Sequence, residues 1–288
     1  MTTAGSRKIE RRAFRQSSAT YYASAKFLPK PARDDIFKLY SFTNLAHTYV
    51  DANPAERISF FALRKAWDEA KDNPGFDVTV SEAEDWEDLA IKNIVSLVRK
   101  YDLDPEWIEA FLNSMESDLE GRVYDTWDDT LDYIYGSAEV IALIICKIMN
   151  TDPASYESAR TEGRAMQLMN FIRRLPQDHA RGRCYFPKNE LENFGLTDLS
   201  METALANRAA FEKCIQRQLV RYESWQTKAS KGETYLPKAY RVAIVTAVDM
   251  CNWMAASISR DPMAIFGRQV KPAKKRVLVI GLCNLLAL

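Results

Sequence analysis

His47 and Asp51 stand four residues apart in the stretch FTNLAHTYVD, a spacing that sets an imidazole and a carboxylate side by side on one helical face. An imidazole near its ordinary pKa can serve as a general base. A second stretch, GRAMQLMNFIRRLPQDHARGRCYFP, carries Gln167, Asn170, Arg173, Arg174 and Asp178 at three- or four-residue steps through an apolar helical pattern. So many polar groups on a buried helix need partners, because an unpaired buried polar group is costly. Arg181, Arg183 and Tyr185 follow at once and could hold an anion or form a solvated loop. In QSSATYYASAKFLP, Ser18 and Thr20 precede a helix, where hydroxyls either cap the helix or meet a ligand. YIYGSAEVIALIICKIM sets Tyr133, Tyr135, Gly136, Ser137 and Ala138 in an oily helix, a pattern suited to close helix packing and equally to the wall of an apolar pocket.

The elements that must position these groups are helices. Ten glycines and eleven prolines in 288 residues, with apolar residues at three- and four-residue steps, predict an all-α chain with short connections. The periodicity predicts helices over Ala32 to Val50, Ile58 to Asp72, Glu82 to Tyr101, Pro105 to Tyr124, Thr130 to Met149, Ser155 to Arg174, Met201 to Ala229 and Pro237 to Arg260. Ser81 with Glu84 reads as a capping box, and Asp104 before Pro105 as a helix start. No composition shift divides the chain, so residues 1–288 are expected to form a single domain, and 47% hydrophobic residues supply a substantial core.

Lys+Arg and Asp+Glu balance at 39 each, so no net field recruits nucleic acid, and an anionic ligand must be held by a local cluster. The five cysteines lie about thirty or more residues apart, which removes the usual zinc and redox spacings and points to thiols in a reducing compartment. The N-terminal stretch lacks the apolar run of a secretory signal, and the apolar C-terminal stretch VLVIGLCNLLAL is too short to span a bilayer. The expectation is a cytoplasmic protein able to touch a membrane with that C-terminal stretch.

SSATYYASAKFLPKPARDDIFKLYSF, YIYGSAEVIALIICKIM, QLMNFIRRLPQDHARGRCYFP and DPMAIFGRQVKPAKKR, taken in order, resemble the squalene/phytoene synthase family across nearly the whole chain. The resemblance implies the all-α isoprenoid synthase fold with a deep apolar cavity for prenyl tails. It also implies two Asp-rich motifs on facing helices that hold Mg²⁺ against diphosphate, since a hard cation takes oxygen ligands. Such enzymes join two allylic diphosphates through a cyclopropyl intermediate, some with reduction by NADPH, a requirement left open here. Carried over by position, Ser18 and Thr20 fall at the first diphosphate pocket, Tyr40 at a family tyrosine and Tyr133 on the cavity helix. Gln167, Asn170, Arg173, Arg183, Tyr185 and Arg268 match positions around diphosphate and metal.

The acidic motifs depart from the pattern. Where the family has Arg-x-x-Asp-Asp-x-x-Asp, this chain has Asn44, His47, Thr48 and Asp51, and where it has Asp-x-x-Glu-Asp, this chain has Arg174, Gln177 and Asp178 around Pro176. Asp51 and Asp178 alone remain for metal, with a guanidinium beside them, so Mg²⁺ binding is expected to weaken. Arg174 could neutralise both acids or reach phosphate directly. The only two histidines, His47 and His179, fall in the altered motifs and could join the two acids around a transition metal. Glu139 either lines the cavity or pairs with a base on a neighbouring helix. The primary expectation is head-to-head condensation of two farnesyl or geranylgeranyl diphosphates. The rivals are an inactive binding or assembly module, and a cyclase or hydrolase acting on one prenyl diphosphate.

Overall fold

The computed structural model describes residues 4–52, 54–80, 85–267 and 270–287. Helix dominates, and no strand occurs among the described residues. The first half holds α1 (Ala4–Ser17), α2 (Ala19–Ser24), α3 (Lys30–Asp51), α4 (Arg57–Lys71), α5 (Trp86–Tyr101), α6 (Pro105–Glu120), α7 (Trp127–Ile134) and α8 (Val140–Met149). The second half holds α9 (Tyr156–His179), α10 (Lys188–Asn193), α11 (Met201–Ala206), α12 (Arg208–Ala229), α13 (Lys238–Arg260), α14 (Ala264–Gly267) and α15 (Lys274–Ala287).

Local chemistry explains where the helices depart from the periodic pattern. Ser81, Glu82 and Glu84 lie outside the described residues, and the cap of α5 is Asp85, whose carboxylate accepts from the Asp88 N–H. Asp104 caps α6 as expected, but the helix stops at Gly121, whose φ of +65° suits a residue without Cβ. The expected helix from Thr130 starts earlier, at a capping box between Thr126 and Asp129. It is interrupted by a π-helical turn, Tyr135–Glu139. The expected helix ending at Arg174 runs on to His179, with Pro176 inside it, so both the altered motif and its proline are helical. The stretch expected as one helix from Met201 breaks at Asn207 into α11 and α12.

Two apolar clusters organise the protein. One joins α3–α6 and α8 around Phe42, Trp67 and Phe111, and the other joins α7, α9, α12 and α13 around Phe171, Phe211 and Tyr222. Burial of this area is the main drive to fold. Gly136 permits a close approach between helices, because a Cβ there would stand 2.0 Å from the Ala110 carbonyl oxygen on α6. The π-helical turn therefore presses directly against α6, and a side chain at residue 136 has no room.

Glu139 is buried and faces two guanidiniums of α9, Arg160 at 2.9 Å and Arg164 at 2.7 Å. It pairs with bases on a neighbouring helix, and does not line the cavity described below. Among the described residues one helix, α13, is long and apolar enough to cross a bilayer, yet half of its most apolar window is buried in the protein. α15 packs Val277 and Gly281 inward while Leu278, Leu282, Leu285 and Leu286 remain exposed.

Candidate active site

A cavity of about 790 Å³ runs between the two clusters. The end of α3 and the C-terminal half of α9 face each other across it. From α3 the cavity receives Tyr40, Asn44, His47, Thr48 and Asp51, spaced by three or four residues so that one stripe points inward. α9 contributes Gln167, Asn170, Arg173, Arg174 and Asp178 by the same rule. Tyr133 enters from α7, and Arg183 and Tyr185 from the segment after α9, whereas Arg181 of that segment is solvent-exposed and does not line the cavity. Ser18 lines the cavity too, while its hydroxyl caps α2 by accepting from the Tyr21 N–H at 3.3 Å.

Two sequence-derived site residues are not found there. Thr20 faces a separate, smaller cavity with Lys271, Pro272 and Lys274, because it falls on the other side of the short helix α2. Gln177 is not part of the wall, and its side-chain oxygen is buried without a hydrogen-bond partner among the described residues. Arg268 lies outside the described residues.

Charge at the α3/α9 end is dominated by guanidiniums. Arg183 donates to Asp51 at 2.5 Å and to the Val50 carbonyl at 2.6 Å. Arg174 lies 3.5 Å from Asp51 and 3.4 Å from Asp178, bridging the two helices, and Arg181 approaches Asp51 at 3.7 Å. Burial disfavours the Asp51 charge, but His47, Arg183 and Arg181 outweigh it and hold the carboxyl below its ordinary range. Burial raises Asp178 despite the opposing field of Arg174. His47 is half-buried on the cavity wall, edge-on to Phe111, and desolvation drives its pKa down to about 4, so it is a neutral imidazole at neutral pH.

Arg173 differs from its neighbours. Its guanidinium donates to Asn170 Oδ1 at 2.5 Å but has no carboxylate within ion-pair distance among the described residues. Burial depresses its pKa below the usual value, which measures the penalty of holding that charge unpaired. Lys271 stands near enough that burial together with Arg173 and Arg174 lowers its ammonium as well. The cavity thus offers positive charge at one end with nothing anionic to match it fully.

Asp118 of α6 was not singled out by its sequence, yet it stands at the centre of a hydrogen-bond network. Tyr185 donates to it at 2.8 Å and Tyr133 at 3.0 Å, and Arg183 lies 3.8 Å away. Burial raises its pKa to about 6, against the pull of Arg183 and the two phenols. The signal was present: Phe111, Ser114, Met115 and Asp118 share one helical stripe, and the first three are core residues. Tyr40 stacks on Phe14 at 3.8 Å between ring centres, and burial pushes its phenol up to about 12.

The donor set does not fit a metal cluster. Both acids available from the altered motifs already face guanidiniums, and His179 is exposed at the end of α9. Among the described residues no three His, Cys, Asp or Glu side chains are grouped to hold an ion, so the transition-metal arrangement with His47 and His179 does not form.

Residues 14–276 match the squalene/phytoene synthase family. The chain belongs to that family. Within the family, it is 25% identical over 274 residues to the chloroplastic phytoene synthase 3 of Zea mays, covering 92% of this chain and 62% of that protein. It is 24% identical over 272 residues to the phytoene synthase of Rhodobacter capsulatus, covering 94% of this chain and 78% of that one. The chain therefore spans under two thirds of the maize protein. Among solved structures, the squalene synthase HpnC of Alicyclobacillus acidocaldarius superposes with a TM-score of 0.71 at 21% identity, covering 89% of this chain and 94% of that one. A dehydrosqualene synthase in complex with ligand superposes with a TM-score of 0.75 at 16% identity, covering 98% of this chain and 96% of that one. These squalene/phytoene synthase relatives share the all-α fold.

Proposed function

We propose that this chain is a squalene/phytoene synthase-like prenyltransferase whose cavity binds farnesyl or geranylgeranyl diphosphate through arginines in place of a metal cluster. The observation that carries this reading is Arg173, a half-buried guanidinium with no ionic partner among the described residues, which lines a cavity large enough for a lipid chain. A diphosphate there would receive charge-assisted hydrogen bonds from Arg173, and Arg174 and Arg183 could join by loosening their hold on Asp51. The same cations would stabilise charge developing on a departing diphosphate. Asp118, Tyr133 and Tyr185 lie beside that point and supply protons at a carboxyl and two phenols. Family members use divalent metal, but the acids here are occupied, so no step is assigned to Mg²⁺. The catalytic outcome on this reading is head-to-head condensation of two prenyl diphosphates.

A second reading has its own support. Arg174 reaches both Asp51 and Asp178, so the α3/α9 end is already closed by internal charge pairs, as a binding or assembly module would need. The deciding experiment incubates the protein with farnesyl and geranylgeranyl diphosphates, with and without Mg²⁺, and follows pyrophosphate release, hydrocarbon products and ligand binding together. Metal-independent binding is expected, weakened at least about 10-fold by Arg173→Gln. A C30 or C40 product establishes condensation, a product from one prenyl unit establishes cyclisation or hydrolysis, and binding without turnover establishes the module. Binding that appears only with Mg²⁺, or that ignores Arg173→Gln, overturns the arginine cradle.

We also assign peripheral membrane contact to α15, whose exposed leucines follow the cationic Lys274, Lys275 and Arg276. Co-sedimentation with phosphatidylglycerol vesicles is expected, and equal sedimentation of Leu282→Glu/Leu286→Glu would remove that assignment.

A further inference from the structure

Two polar side chains in the cavity have no role in the diphosphate cradle. Ser137, in the π-helical turn, is 9% exposed, and its hydroxyl has no hydrogen-bond partner among the described residues. Glu162, on α9, accepts one hydrogen bond at Oε1, from the Gln226 amide at 2.9 Å. No cation lies within ion-pair distance of Glu162 among the described residues. Both residues line the cavity. A Cβ on Gly163 would stand 2.9 Å from the Ala138 carbonyl oxygen, so residues 138 and 163 are in direct contact. Ser137 and Glu162 each precede one member of that pair, which places them on the same stretch of wall.

Glu162 is remote from the phosphate end, and Ser137 stands one helical turn beyond Tyr133 on the way to it. From Arg173 to Glu162 is eleven residues of α9, a rise of roughly 16 Å at 1.5 Å each. A farnesyl chain extended from the cradle would bring its distal carbons, not its reacting carbon, to this place. Pure hydrocarbon lying there would leave the Ser137 hydroxyl and the second Glu162 oxygen unsatisfied, at a cost in binding free energy.

We infer that Ser137 and Glu162 form an oxygen-binding subsite that favours an isoprenoid diphosphate carrying a hydroxyl near the far end of its chain. This rests on the cradle reading for the orientation of the ligand. A hydroxyl suits the pair because it donates and accepts at once. Ser137 offers a donor and an acceptor, and the Glu162 carboxyl accepts when ionised and both donates and accepts when protonated. Burial raises the Glu162 pKa to about 7, opposed by Gln226 and reinforced by Glu233, so the protonated form is well populated at neutral pH.

The test titrates the protein with farnesyl thiodiphosphate, which resists cleavage, and with the same compound hydroxylated at its terminal carbon. The hydroxylated chain is expected to bind about 3- to 10-fold tighter, the worth of one or two neutral hydrogen bonds. Glu162→Leu should abolish or invert that preference, and Ser137→Ala should reduce it. Inorganic pyrophosphate, titrated separately into each variant, reports both the cradle and the integrity of the fold. Pyrophosphate binding with equal affinity for the two chains, or with a preference unchanged in both variants, overturns the subsite and leaves the cradle standing. A hydroxyl preference that depends on Glu162 without pyrophosphate binding supports the subsite and overturns the cradle. Failure of wild-type protein to bind any of the three ligands overturns both.

Discussion

At the scale of single residues, environment rather than residue type decides what each group can do. His47 and Asp51 looked alike as candidates on one helical face, yet burial silences the imidazole while Arg183 keeps the carboxylate ionised. Asp118 shows the opposite shift. Its folded pKa of about 6 lies above the unfolded value of about 4, so the folded state holds this proton more tightly. Its contribution to stability is therefore full below about pH 4 and is lost as pH rises through about 6. Asp118→Asn should flatten that part of the profile, with the melting temperature of the variant gaining on wild type between pH 4 and pH 7. A difference between the two that stays constant across this window would show that Asp118 is not perturbed. Its role was hard to read from sequence because SMESDLEG also fits a solvated acidic turn. Only the approach of Tyr133 and Tyr185 from other segments makes it a network centre.

At the scale of elements, the helices were largely legible, because three- and four-residue periodicity reports which face is buried. α3, α4, α5 and α13 fall within a few residues of the pattern. The short helices α2, α10 and α14 were not legible, since four to six residues carry too little periodicity to stand out, and α11 was read as one helix with α12. The π-helical turn at Tyr135–Glu139 was also invisible, although the small residues within it were visible as candidates for close packing. Gly136 tests that packing. Gly136→Ala sets a methyl group 2.0 Å from the Ala110 oxygen and must separate the turn from α6. The expected loss is about 1–3 kcal/mol or more, seen as a lower denaturation midpoint, with the cavity wall at Tyr133 displaced. An unchanged midpoint would mean that the two segments have room to spare.

At the scale of the whole molecule, the site exists only because α3 and α9 meet, with Asp51 separated from Arg174 by more than a hundred residues of sequence. That meeting tests whether a guanidinium stands in for metal charge. Arg174→Asp combined with His47→Asp should release Asp51 and Asp178 and create a cluster of four carboxylates across the interface. Mg²⁺-dependent binding of prenyl diphosphate, followed by calorimetry, should then rise at least about 10-fold over wild type. Flat metal dependence in the folded double variant would end the charge-replacement account. Sequence alone determined the all-α class, the family and most of the polar residues that line the cavity, since these follow from periodicity and from long motifs in register. Tertiary structure alone decided that Arg174 bridges both acids, that Arg173 is left without an ionic partner among the described residues, and that Thr20 turns away to another cavity. The physical reason is distance: ion pairing and desolvation act over a few ångströms between helices, and residue spacing along one helix carries no information about what the opposite helix presents.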